Sequence, residues 1–204
     1  MAKTTLPANA IHPETLADLR GWLSRNHEKA EGTWLVLWKK ESGKVRLDYG
    51  ELVEELLCFG WIDSKPGKLD AHRSMLWIAP RKAGTNWSKL NKERVEAAIA
   101  SGRMTAAGLA KVKAAQKDGT WTALDAVEAL ELPADLVAAF RKHKTAATHF
   151  DAFPRSVKRS ILEWIANAKT AETRARRIAE TAERAAVNER ANQWRQPKAA
   201  KAKT

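Results

Sequence analysis

The chain has 204 residues, 44% of them hydrophobic and 29% charged, with a formal net charge of +12. That is the balance of a globular protein rather than a disordered one, with length enough for a real core. A single cysteine excludes an intramolecular disulfide and a thiolate-rich metal site, no stretch approaches a membrane span, and the N-terminus has no apolar run fit for a signal peptide. The expectation is a cytoplasmic protein.

Residues 1–12 read as a flexible N-terminal segment. From Pro13 to His27 the leucines Leu16, Leu19 and Leu23 form one helical stripe. Thr33–Lys39, TWLVLWK, is apolar almost throughout and reads as a strand covered on both faces. Ser42-Gly43 marks a turn. Asp48, followed by Glu51, reads as the cap of a helix whose buried face holds Leu52, Val53, Leu56 and Leu57. Gly60 ends it, Trp61–Ser64 reads as a short strand, and Lys65-Pro66-Gly67-Lys68 as the turn into a returning strand, Arg73–Ala79, which Pro80 stops.

Beyond Ser88 only helices are expected. Ser88–Ala100 carries Val95, Ala98 and Ile99 inward; Thr105 caps a helix that Asp118-Gly119 stops; Pro133 and Pro154 open two more; and Thr170 starts the last, with Ile178, Ala182 and Ala185 inward. The fold class is α+β, a small, mainly antiparallel sheet flanked by helices with an all-helical C-terminal half. Residues 13–130 form the α+β domain, 131–195 a helical region packed on it, and 196–204 (QPKAAKAKT) a basic, disordered tail.

Chemistry concentrates between Phe59 and Asn91, where Trp61, Trp77 and Trp87 stand among fixed charges. Asp63, on the strand face of Trp61, is a candidate general base with His72 as acid–base partner; alternatively it caps a turn or pairs with Arg81. The run from Pro80 to Ser88 offers Arg81 and Lys82, a glycine and small polar residues ahead of a helix N-terminus. This suits a phosphate or carboxylate, although the P-loop spacing is absent. The alternative is a capped loop with Trp87 plugging the core. Arg174 and Arg177, three apart on the last helix, can clasp an anion or form part of a solvated face. The charge is concentrated there as well: residues 151–204 carry an excess of seven positive charges, against five for residues 1–150.

Cys58 on an apolar helix face reads as a small hydrophobe rather than a nucleophile. His12, His27, His72, His143 and His149 show no metal-ligand spacing, so neither metal nor cofactor is expected.

Several ordered motifs resemble the YdeI/OmpD-associated family, also called the bacteriocin-protection or OmdA family. They are Asp48-Tyr49-Gly50-Glu51, Gly60-Trp61-Ile62-Asp63-Ser64, Ala79-Pro80-Arg81, Asn86-Trp87-Ser88-Lys89, Asp118-Gly119-Thr120-Trp121, and the run from Ala168 to Ile178. The likeness spans roughly residues 13–190. Where this family tends to have two arginines after the proline, the chain has Arg81-Lys82, and no aromatic follows Trp121 as is usual. The resemblance implies a bacterial protein tied to envelope stress or to bacteriocin and antimicrobial-peptide tolerance, and no catalytic mechanism. The leading expectation is a binding protein for a small anionic ligand or an envelope-stress protein partner, through Trp61, Asp63, Arg81, Asn86, Trp87, Ser88 and Asn91. The alternatives are nucleic-acid binding through the basic C-terminal helix and tail, including Arg174 and Arg177, and an enzyme working through Asp63 and His72.

Overall fold

A computed structural model describes residues 6–197. The chain divides into two compact units, Met1–Thr122 and Ala123–Thr204. The first is α+β and the second all-helical.

The first unit is built on a four-stranded sheet in the order β1-β2-β4-β3. Its strands are β1 (Ala10–Ile11), β2 (Thr33–Trp38), β3 (Trp61–Lys68) and β4 (Arg73–Pro80). β1 runs parallel to β2, and the β2/β4 and β3/β4 pairs are antiparallel, so the sheet is mainly antiparallel as expected. Within the segment read as flexible, Ala10–Ile11 adds an edge strand opposite Trp34 and Leu35, and the Thr33 hydroxyl donates to the Asn9 carbonyl beside it. The expected tail from residue 196 lies beyond the described residues from position 198 onward.

Among the described residues, the α-helices of this unit are α1 (Leu16–Asn26), α2 (Tyr49–Cys58), α3 (Lys89–Ala100) and α4 (Ala106–Asp118). Each starts where a side-chain oxygen satisfies an orphan amide. Thr15 and Asp18 form a reciprocal capping box on α1, and Asp48, Ser88 and Thr105 accept from the amide three residues on. The core gathers Leu19 and Leu23 of α1, Leu35 of β2, Leu52, Leu56 and Leu57 of α2, Leu76 and Ile78 of β4, Val95 and Ala98 of α3, and Val112 and Ala115 of α4. Ile99, expected inward, is 46% exposed, because the α3 stripe closes on Val95 and Ala98 alone.

One turn lies elsewhere than the sequence pattern places it. Lys65-Pro66-Gly67-Lys68 continues β3, with a register irregularity between Asp63 and Pro66. β3 is an edge strand, so a proline without a donor is tolerated there, and the bulge absorbs the extra residues. The chain reverses instead around Asp70. Its Oδ1 accepts from the amides of His72 (2.9 Å) and Arg73 (2.7 Å), and its Oδ2 binds the Arg73 side chain. Asparagine and aspartate close turns in this way through their own side chains.

The second unit holds α5 (Asp125–Glu128), α6 (Ala134–Phe140), α7 (Ala146–Ala152), α8 (Arg155–Ala166) and α9 (Ala171–Ala186). Its separate core includes Leu136, Phe140, Phe150, Ile161, Ile165, Ile178, Ala182 and Ala185. No helix among the described residues is long and apolar enough to cross a membrane.

Candidate anion-binding site

β4 ends at Pro80, and the amide of Arg81 donates to the Gly60 carbonyl (2.9 Å), pinning the chain beside the start of β3. The Arg81 side chain turns inward and is only 5% exposed. Its guanidinium lies over the Trp87 ring, with Cζ 3.8 Å from the ring centroid. Nη2 donates to the carbonyls of Thr85 (3.1 Å) and Asn86, and Nε is buried with no partner. Among the described residues no carboxylate pairs with Arg81, and burial without a counter-charge pulls its pKa down to about 10. Proteins seldom bury a cation this way, because the desolvation cost goes unreturned unless another charge arrives.

The following loop, from Lys82 to Thr85, folds back over a cavity of about 70 Å³. Gly84, at φ 71°, makes the reversal, and the Thr85 hydroxyl donates to the Lys82 carbonyl (2.8 Å) to close it. Arg81, Lys82 and Thr85 line it together with Lys111, Asp118 and Thr120. No hydrogen bond or ion pair engages the ammonium of Lys82 or Lys111 among the described residues. Asp118 is the one carboxylate in the lining, and its Oδ1 is held by the Thr120 amide (3.0 Å) and hydroxyl (2.6 Å). These bonds keep it ionised to lower pH than an ordinary carboxylate. Three cations and one anion thus surround a small hollow.

The expected ligand residues fall into two groups and a set of structural supports. Arg81, Asn86 and Trp87 come together as described, Asn86 through its backbone carbonyl. Trp61 is fully buried, donates from Nε1 to the His27 carbonyl (3.2 Å) and meets Trp22 edge-on, so it is core. Trp87 is 1% exposed and tilts against Trp121, forming the wall behind Arg81 rather than a contact surface. Ser88 caps α3 by accepting from Asn91 (3.3 Å), and Asn91 in turn accepts from Arg94 (3.0 Å). Asp63 belongs to a different group: it accepts from the Tyr49 hydroxyl (2.7 Å), not from Arg81.

Asp63 and His72 are not brought together. Asp63 lies opposite Ile78, and His72 precedes Arg73 at the far end of the hairpin, beside the Asp70 turn. Six residues at about 3.4 Å each separate the two backbones by about 20 Å along β4. In the second unit, Arg174 forms a two-pronged pair with Asp135 (2.7 and 3.1 Å), which holds that carboxylate below its usual range. Arg177 donates to the Trp164 carbonyl and stacks on its ring at 5.0 Å. Both arginines are engaged within their own unit. No cluster of histidine, cysteine and carboxylate residues suited to a metal occurs among the described residues.

Sequence reasoning missed Lys111, Asp118 and Thr120 as neighbours of Arg81, since packing alone carries α4 there. The available signal was Asp118-Gly119-Thr120-Trp121, read as a helix stop and a motif of the resemblance but not as a neighbour of Arg81.

Residues 11–111 match a domain of unknown function, DUF8412, and residues 129–188 match the family described as "Bacteriocin-protection, YdeI or OmpD-Associated". The motifs around Trp61, Arg81 and Trp87 therefore lie in the first match, and the run from Ala168 to Ile178 in the second. No curated protein and no solved structure matches the chain. Within the all-helical C-terminal unit, residues 129–188 are thus similar to the YdeI/OmpD-associated family.

Proposed function

We propose that the protein is a binding protein for a small anion, which enters the cavity beside Arg81. The observation that carries this reading is the buried Arg81 guanidinium, which has no carboxylate partner among the described residues and leaves Nε unsatisfied, in a residue that lines a hollow together with Lys82 and Lys111. An anion there would supply the missing counter-charge. Its recognition would be strong because the site is partly desolvated and a guanidinium offers directed donors. The description of the family that residues 129–188 match supports tolerance of bacteriocins as the biological setting of the proposal.

The test is thermal unfolding of the full chain against a panel of small oxyanions and carboxylates at constant ionic strength. A ligand at a hundredfold its Kd stabilises by about 2.7 kcal/mol, which reads as a clear rise in Tm. At least one anion should exceed chloride in wild type and lose that advantage in Arg81→Lys, which keeps charge but gives up the planar fork. If none does better than chloride, the cavity is not an anion site.

A further inference from the structure

Resting on that reading, we infer that the cavity takes one phosphoryl group as its dianion, carried by a phosphomonoester or as free phosphate. Three features narrow the ligand class to this point: size, charge and donor geometry.

The hollow measures about 70 Å³. A single water needs about 10–15 Å³, so the space holds a small group only. That suits a tetrahedral oxyanion and is too little for a nucleoside or a sugar. Anything larger would place only its anionic group inside.

The charges around it are Arg81, Lys82 and Lys111 against Asp118, a surplus of two positive charges. A monocarboxylate would neutralise half of that surplus, and a dianion all of it. No histidine lines the cavity, so this balance is constant between pH 5 and pH 7.

Arg81 donates both of its hydrogen bonds from Nη2, so Nε is still unspent. Lys82 and Lys111 line the cavity from two different elements, the loop after β4 and α4. Donors converging from several directions fit an anion whose oxygens point tetrahedrally better than a flat carboxylate satisfied from one edge.

The experiment is titration calorimetry on the full chain with glycerol phosphate, inorganic phosphate, sulfate and acetate at fixed ionic strength. A phosphomonoester has a second pKa of about 6, so its binding should strengthen about tenfold from pH 5 to pH 7, while sulfate stays level. Glycerol phosphate binding more tightly than inorganic phosphate would mark an ester as the source, and the reverse order free phosphate. Arg81 is buried, so its substitution risks the fold. Lys82→Ala and Lys111→Ala instead remove partly or fully exposed charges, each expected to weaken binding about threefold and together about tenfold, with an unchanged far-ultraviolet spectrum. Acetate binding as tightly as phosphate, with the same lysine dependence, would leave an anion site and overturn the phosphoryl assignment. Phosphate binding indifferent to both lysines would overturn the site, and absence of binding by every anion would overturn the anion-binding reading with it.

Discussion

Glu55 shows what a satisfied buried charge in this protein looks like, and so what Arg81 lacks. At 2% exposure, it holds Arg20 through Oε1 and Arg103 through Oε2 (2.6 Å), tying α1 and the loop before α4 to α2. Removing it leaves two arginines facing a buried void. Because both are more than a third exposed, water recovers part of the loss, and we expect Glu55→Ala to cost about 2–3 kcal/mol in urea unfolding rather than the 3–5 of a fully buried pair. Tyr49 gives a second test at this scale, and as the chain's single tyrosine it can be titrated without overlap. Burial, and then its hydrogen bond to Asp63, push the phenol up to about 12 from 10. The folded state thus keeps its proton longer than the unfolded state. Stability from this group is fully present below pH 10 and is lost as pH rises through 12. Phenolate absorbance should show a midpoint near 12 that falls part of the way back in Asp63→Asn, and Tyr49→Phe should lose less stability than wild type between pH 10 and pH 12.

At the scale of elements, helix starts were the most legible feature. Asp48, Ser88, Thr105 and Thr170 all cap where the sequence places them, because a cap is a local event between a side chain and an amide three residues on. The β3–β4 hairpin was half legible. Its strands follow from β-rich segments, but Pro66-Gly67 satisfies turn chemistry and an edge-strand bulge equally well, and only strand order separates the two. The candidate site divides along the same line. Arg81 and its loop stood out by composition, whereas Lys111 depends on how α4 docks. That docking hangs on Gly108, where a Cβ would fall against the Cys58 carbonyl and 2.7 Å from that of Leu57. The contact is backbone against backbone, so no rotamer change relieves it. Gly108→Ala, otherwise favourable in a helix, should therefore destabilise by about 2–3 kcal/mol in urea unfolding and weaken anion binding by displacing Lys111. A neutral or stabilising alanine would mean that α4 shifts freely on α2.

At the scale of the whole molecule, the two cores share no residue: one draws on Leu19 through Ala115, the other on Leu124 through Ala185. Each unit thus owns the apolar contacts that hold it, which is the condition for folding alone. They are unequal in size. The second, Ala123–Thr204, has about 80 residues, near the length at which a single core supplies only about 3–5 kcal/mol. Its core is also the smaller, and alanines, Ala146, Ala182 and Ala185, make up more of it than Ala98 and Ala115 do of the first, which also buries two tryptophans. Smaller side chains remove less apolar surface from water, so its margin is the thinner one. Calorimetry of the full chain should therefore show two transitions rather than one, the lower belonging to the all-helical unit. Fragments cut at residue 122 would assign them: 123–204 melting helically at the lower temperature without response to phosphate, and 1–122 melting higher with the phosphate-dependent shift retained. One transition at which helical signal, near-ultraviolet tryptophan signal and phosphate response are lost together would show that the units unfold as a single cooperative body despite their separate cores.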